Sequence, residues 1–139
     1  MSKGLAIVII PVYKELMSNY EEISFRQCLK ILNKYPISII CPHSLNVEYY
    51  VHVSKDYNIT LNVNYFDSAY FCNIDGYNRL MLSKFFYKTF LRYEYMLIYQ
   101  LDAYVFKDEL NYWCKQGWDY IGAPWFENFG SLNGEFDVW

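Results

Sequence analysis

Two periods of apolar and polar positions alternate along this chain. Residues 5–10 form an unbroken aliphatic run closed by Pro11, which predicts a central strand buried on both faces. Ser18-Asn19-Tyr20-Glu21 then reads as a capping box, and Phe25, Cys28, Leu29 and Leu32 follow at helical spacing. A helix is therefore expected over residues 19–34, ended by Pro36. Residues 37–41 repeat the strand pattern and stop at Pro42, residues 46–55 predict a short helix, and residues 61–66 alternate as a less buried strand. From Gly76 to Leu91, the side chains of Tyr77, Met81, Leu82, Phe85, Phe86 and Phe90 give one broad apolar face, which predicts a single long helix. Residues 95–99 are β-formers without a charge and predict a strand covered on both faces. A helix over 108–115 and a fifth short strand over 119–124 complete the pattern.

Strands separated by helices imply right-handed crossovers and parallel pairing. The expected fold is α/β: a Rossmann-like, mostly parallel sheet with flanking helices, in one domain over residues 1–139. The last residues, Phe136-Asp137-Val138-Trp139, open an apolar element without completing it, so the domain is expected to be truncated at its C-terminus. Asp102 stands out in this frame. It follows an apolar strand at its carboxyl end, where open α/β sheets bind ligands, and a carboxylate there is costly unless something outside uses it.

Composition narrows the possibilities. Apolar residues make up 54% of the chain, which excludes disorder, yet no apolar run approaches the roughly 20 residues of a membrane helix. The N-terminus lacks a signal peptide pattern, so a cytoplasmic location is expected. A net charge of -3 with dispersed Lys and Arg gives no footprint for nucleic acid. Cys28, Cys41, Cys72 and Cys114 include no Cys-x-x-Cys pair and read as reduced structural thiols. The aromatic content of 22%, with sixteen tyrosines, suits stacking on sugars or bases at a groove.

Several chemistries drop out. The segment after the first strand is Pro11-Val12-Tyr13-Lys14-Glu15, without the glycines of a dinucleotide fold, and no phosphate loop exists elsewhere. The same lack of glycine disfavours a nucleotidyltransferase. His43 and His52 have no partner at ligand spacing, and Ser44 and Ser83 lack a nucleophile-elbow context. What remains is a site in which Tyr13 stacks on a base, Lys14 meets a phosphate, and a Mn²⁺ or Mg²⁺ ion on Asp102 bridges a diphosphate.

Ile9-Ile10-Pro11-Val12-Tyr13 resembles the opening strand of A-type nucleotide-sugar glycosyltransferases, and Leu101-Asp102-Ala103 resembles the start of their Asp-x-Asp motif. Gly76 to Ser83, Tyr99 to Phe106 and Asp119 to Trp125 resemble a bacterial family of uncharacterised, glycosyltransferase-like proteins (DUF5672 type). The resemblance implies the N-terminal, nucleotide-binding part of a GT-A-type fold that binds a nucleotide diphosphate sugar and transfers the sugar to a hydroxyl acceptor, for instance in surface polysaccharide. It implies that Pro11, Val12 and Tyr13 receive the base and that Arg79 and Lys84 reach the diphosphate. Asp102 falls near the ribose and a metal ion, and Trp125, Asn133 and Gly134 fall where acceptor and donor-sugar contacts begin.

Two departures from that pattern support a rival reading, a truncated or degenerate non-catalytic nucleotide-binding or interaction domain. Tyr104 replaces the second carboxylate of Asp-x-Asp, and a neutral phenol is a poor ligand for a hard cation. The strands that ordinarily supply the acceptor groove and the general base are not in this chain, so no catalytic base is assigned; Glu127, Glu135 and Asp137 are near only in sequence. Aromatic surface around Trp125 and Trp139 is expected to favour self-association.

Overall fold

A computed structural model describes residues 4–122. Among these residues four strands, β1 (Gly4–Pro11), β2 (Ile37–Pro42), β3 (Asn62–Phe66) and β4 (Tyr93–Ile98), form one sheet in the order β3-β2-β1-β4. All three pairings are parallel. The α/β class and the Rossmann-like parallel sheet expected from the alternation are what the chain adopts.

β1 sets the layering. Ala6, Val8 and Ile10 point to one face and pack with Phe25, Cys28 and Leu29 of α1 (Asn19–Ile31) and Tyr50 and Val53 of α2 (Glu48–Lys55). Ile7 and Ile9 point to the other, against Leu80 of α3 (Ile74–Met81) and Phe86 and Phe90 at α4 (Lys84–Thr89). A strand alternates its side chains between faces, so one aliphatic run serves two cores. The last described helix, α5 (Leu110–Cys114), rejoins the first face through Leu110 and Cys114. No described helix is long and apolar enough to cross a membrane.

The helix expected over residues 76–91 is instead two helices. Ser83 adopts an extended conformation; its hydroxyl donates to the Leu80 carbonyl at 2.8 Å and accepts from the Phe86 amide at 3.2 Å, so it caps α4 and breaks the run. The break rotates the second helix, leaving Leu82 84% and Phe85 63% exposed rather than in the core. α3 also starts earlier than the apolar periodicity suggests, because Asn73 caps it by accepting from the Gly76 amide at 2.8 Å. Capping chemistry overrides apolar spacing at both points.

Two strand expectations also need correction. The apolar run predicts β4 covered on both faces, but it stands at the sheet edge among the described residues, and all but Glu94, which is exposed, are half-buried. The described part of the fifth strand, residues 119–122, pairs with no strand among the described residues, and Tyr120 and Ile121 are exposed. An apolar pattern makes a strand only when a neighbour supplies its hydrogen bonds. α1 ends three residues early, at Ile31, where Leu32 caps it.

Gly76 fixes how α3 sits against the 3-10 turn Ser68–Tyr70. A Cβ there would lie 2.3 Å from the Ala69 carbonyl oxygen, a backbone atom that cannot swing aside. Gly76→Ala is expected to cost about 1–3 kcal/mol of unfolding free energy, the range for overpacking a close contact. Urea titration checks this, and an unchanged midpoint would mean that the contact does not constrain the fold.

Candidate functional site

The chain runs β1, β2, β3 outward in one direction and then returns to place β4 on the opposite side of β1. Two loops therefore diverge at the carboxyl ends of β1 and β4, and open parallel sheets have their ligand crevice at such a reversal. A cleft of about 450 Å³ lies there. Pro11, Val12, Tyr13 and Lys14 line it from the β1 side, Gln100, Leu101 and Asp102 from the β4 side, and Phe71 to Ile74 with Tyr77 from the start of α3.

The β1 side is tightly held. The Tyr50 hydroxyl, on a side chain only 2% exposed, donates to the Lys14 carbonyl at 2.9 Å. Lys14 Nζ lies 2.7 and 2.9 Å from the two Glu21 carboxylate oxygens and 5.5 Å from the centre of the Tyr13 ring. Glu21 is also the capping-box acid of α1, accepting from the Ser18 amide at 2.7 Å. Partial burial pushes its carboxyl up, but the bonds from Lys14 and Ser18 prevail and hold it below the usual range. The same pairing raises the Lys14 ammonium. The Tyr13 ring, 61% exposed, thus projects from an anchored loop.

The β4 side ends in a turn over Leu101 and Asp102, closed by the Ala103 amide donating to the Gln100 carbonyl at 3.0 Å. Its anchor is a buried hydroxyl pair, Ser24 of α1 and Tyr99 after β4. The Ser24 hydroxyl donates to the Ala103 carbonyl, which leaves its oxygen to accept from the Tyr99 hydroxyl at 2.8 Å. The Gln27 amide adds a bond to the Val105 carbonyl at 3.0 Å. From α3, the Tyr77 hydroxyl accepts from Gln100 Nε2 at 3.2 Å; burial pushes that phenol up, and the nearby charge of Asp102 adds to the effect.

Pro11, Val12, Tyr13 and Asp102, singled out from the sequence, are thus brought to one cleft. Arg79 and Lys84 are not: both are exposed on α3 and α4, neither lines the cleft, and neither has an ion pair among the described residues. α3 presents its N-terminal end to the cleft, while Arg79 lies in its last turn and Lys84 begins the next helix. Trp125, Asn133 and Gly134 lie outside the described residues. Sequence patterns miss Ser24, Gln27, Tyr99 and Glu21 as site residues, because long-range hydrogen bonds leave no periodic trace; the capping box alone gives a signal, and only for Glu21.

The lining carries two carboxylates, Glu21 and Asp102, and one ammonium, Lys14. No group of three His, Cys, Asp or Glu residues that could hold a metal exists among the described residues. Asp102 offers a single carboxylate, which suits an ion already carried on a ligand's phosphates rather than a preformed metal centre. Cys28, Cys41 and Cys114 are buried free thiols, with burial pushing Cys28 up to about 12, whereas Cys72 is exposed and lines the cleft.

Residues 60–137, more than half the chain, match the family described as Protein of unknown function (DUF5672). The chain belongs to this family. No curated protein matches it. The DUF5672 match takes in β3, the Asp102 turn and α5, while β1 and the loop bearing Tyr13 precede it. The cleft of this DUF5672 chain is therefore assembled from both sides of that boundary.

Ser24→Ala is expected to cost about 1–2 kcal/mol of stability, because it removes a buried hydroxyl that makes two hydrogen bonds, to the Ala103 carbonyl and to the Tyr99 hydroxyl. Asp102→Asn, at an exposed carboxylate with no ion pair among the described residues, is expected to stay within about 0.5 kcal/mol. Parallel urea titrations check the contrast; equal losses would assign Asp102 a structural role.

Proposed function

We propose that this chain is a glycosyltransferase-like domain that binds a nucleotide diphosphate sugar in the cleft between β1 and β4 and transfers the sugar to a hydroxyl acceptor, in the manner of surface polysaccharide assembly. The observation that carries this reading is the convergence of Tyr13 and Asp102, from two different strands, on one cleft at the chain reversal. An exposed, anchored aromatic ring suits a base, and a carboxylate beside it suits a ribose or an ion carried on the diphosphate. In such a transfer the bond from the anomeric carbon to the diphosphate breaks, the acceptor oxygen takes that carbon and loses its proton, and the nucleoside diphosphate leaves. The protein's part is to orient donor and acceptor and to offset the departing charge.

A second reading, a nucleotide-binding or interaction module without transfer, is favoured by the single carboxylate at the Asp102 turn, where Tyr104 follows as an exposed phenol. Only the first reading requires turnover.

Calorimetric titration with UDP, GDP and other nucleoside diphosphates, with and without Mn²⁺, is expected to give saturable binding to at least one of them. Tyr13→Ala and Asp102→Ala are each expected to weaken it by about tenfold or more, in line with the loss of a base stack or a charged hydrogen bond. No binding to any nucleotide by the folded protein would overturn the donor-site reading. Binding without release of sugar from any nucleotide sugar would favour the module.

A further inference from the structure

Lys14 is the one cation lining the cleft among the described residues, and it is engaged on both carboxylate oxygens of Glu21. The two partners are anchored differently. Glu21 sits on the first turn of α1 and has a second donor, the Ser18 amide at 2.7 Å, so it stays in place without Lys14. Lys14 has its main chain fixed by Tyr50, while its ammonium, on a flexible four-carbon stem 46% exposed, is held at its tip only by Glu21 and the Tyr13 ring. One end of the pair can exchange partners and the other cannot.

Resting on the nucleotide reading, we infer that the Lys14–Glu21 pair is an exchangeable latch that sets the cleft's preference between the neutral and the anionic part of its ligand. Lys14 is the diphosphate-binding cation, and the diphosphate must draw it away from Glu21, which remains behind as a fixed negative charge. The lining carries a net charge of -1, and while the pair is closed its one ammonium is engaged, which disfavours phosphates and is indifferent to a nucleoside. The latch thus holds diphosphate affinity below what Lys14 alone would give, which is useful where a nucleoside diphosphate must leave after each turnover. Arg79 and Lys84, which lie off the cleft, have no part in it.

Glu21→Gln tests the latch without disturbing the helix start, because Gln also completes a capping box. The probes are UDP, GDP, their nucleosides and inorganic pyrophosphate, titrated at low salt into the wild type and the variant, with thermal melting as the control for folding. The variant is expected to bind the diphosphates and pyrophosphate on the order of tenfold more tightly, with nucleoside affinity within about twofold. The gain shrinks as salt is added and disappears when Lys14→Met is combined with Glu21→Gln. Nucleotide binding by the wild type with no diphosphate-specific gain in the variant, or an equal gain for nucleosides, overturns the latch alone. Absence of binding by both proteins overturns the latch together with the nucleotide reading.

Discussion

A strand whose residues are aliphatic on both sides has no face to give to water. Ile7, Val8, Ile9 and Ile10 of β1 are at most 2% exposed, and each large aliphatic side chain fully buried contributes about 1.5–3 kcal/mol. β1 must therefore lie inside the sheet and be covered by helices above and below. Parallel neighbours follow, because the helices that cover the faces are also the crossovers. With β2 and β3 on one flank, β4 takes the other, and the loops leaving β1 and β4 part at their carboxyl ends. The cleft is a consequence of burying β1.

The walls of the cleft are fixed from the same layer. α1 carries Glu21, which holds Lys14, and Ser24, which holds the turn bearing Asp102. One helix thus registers the β1 loop against the β4 turn. Its capping box sets where the helix begins and so where both side chains stand. On the far side, Gly76 allows α3 to approach the 3-10 turn, bringing residues 71–74 into the lining. Each of these contacts is short and directional, so the site is largely pre-formed, as binding clefts of this size usually are.

Much of this is legible in the chain itself, and the reasons are specific. β1 and β2 announce themselves through aliphatic runs ended by proline, and α1 through Ser18 and Glu21. Asp102 can be placed at a strand end because an unpaired acid directly after an apolar run has no place inside the sheet and must mark where the chain leaves it. The split at Ser83 is hidden because apolar spacing continues through it, while the capping hydroxyl competes with the helix only once Leu80 and Phe86 are in place. The diphosphate role of Arg79 and Lys84 rests on family resemblance, and both lie outside the cleft. Lys14, which its neighbours in sequence mark as a residue that could meet a phosphate, is the cation that lines it. The Ser24–Tyr99 pair spans 75 residues and has no local signature at all.

Nucleotide binding in the β1/β4 cleft, as proposed, would shield the residues that line it. Cys72 is an exposed thiol lining that cleft, while the other three cysteines are buried, so its alkylation rate is a position-specific reporter. A nucleoside diphosphate is expected to slow iodoacetamide modification of Cys72 in proportion to its occupancy, with Cys28, Cys41 and Cys114 unmodified throughout. A nucleotide that saturates the protein by calorimetry yet leaves the Cys72 rate unchanged would contradict it.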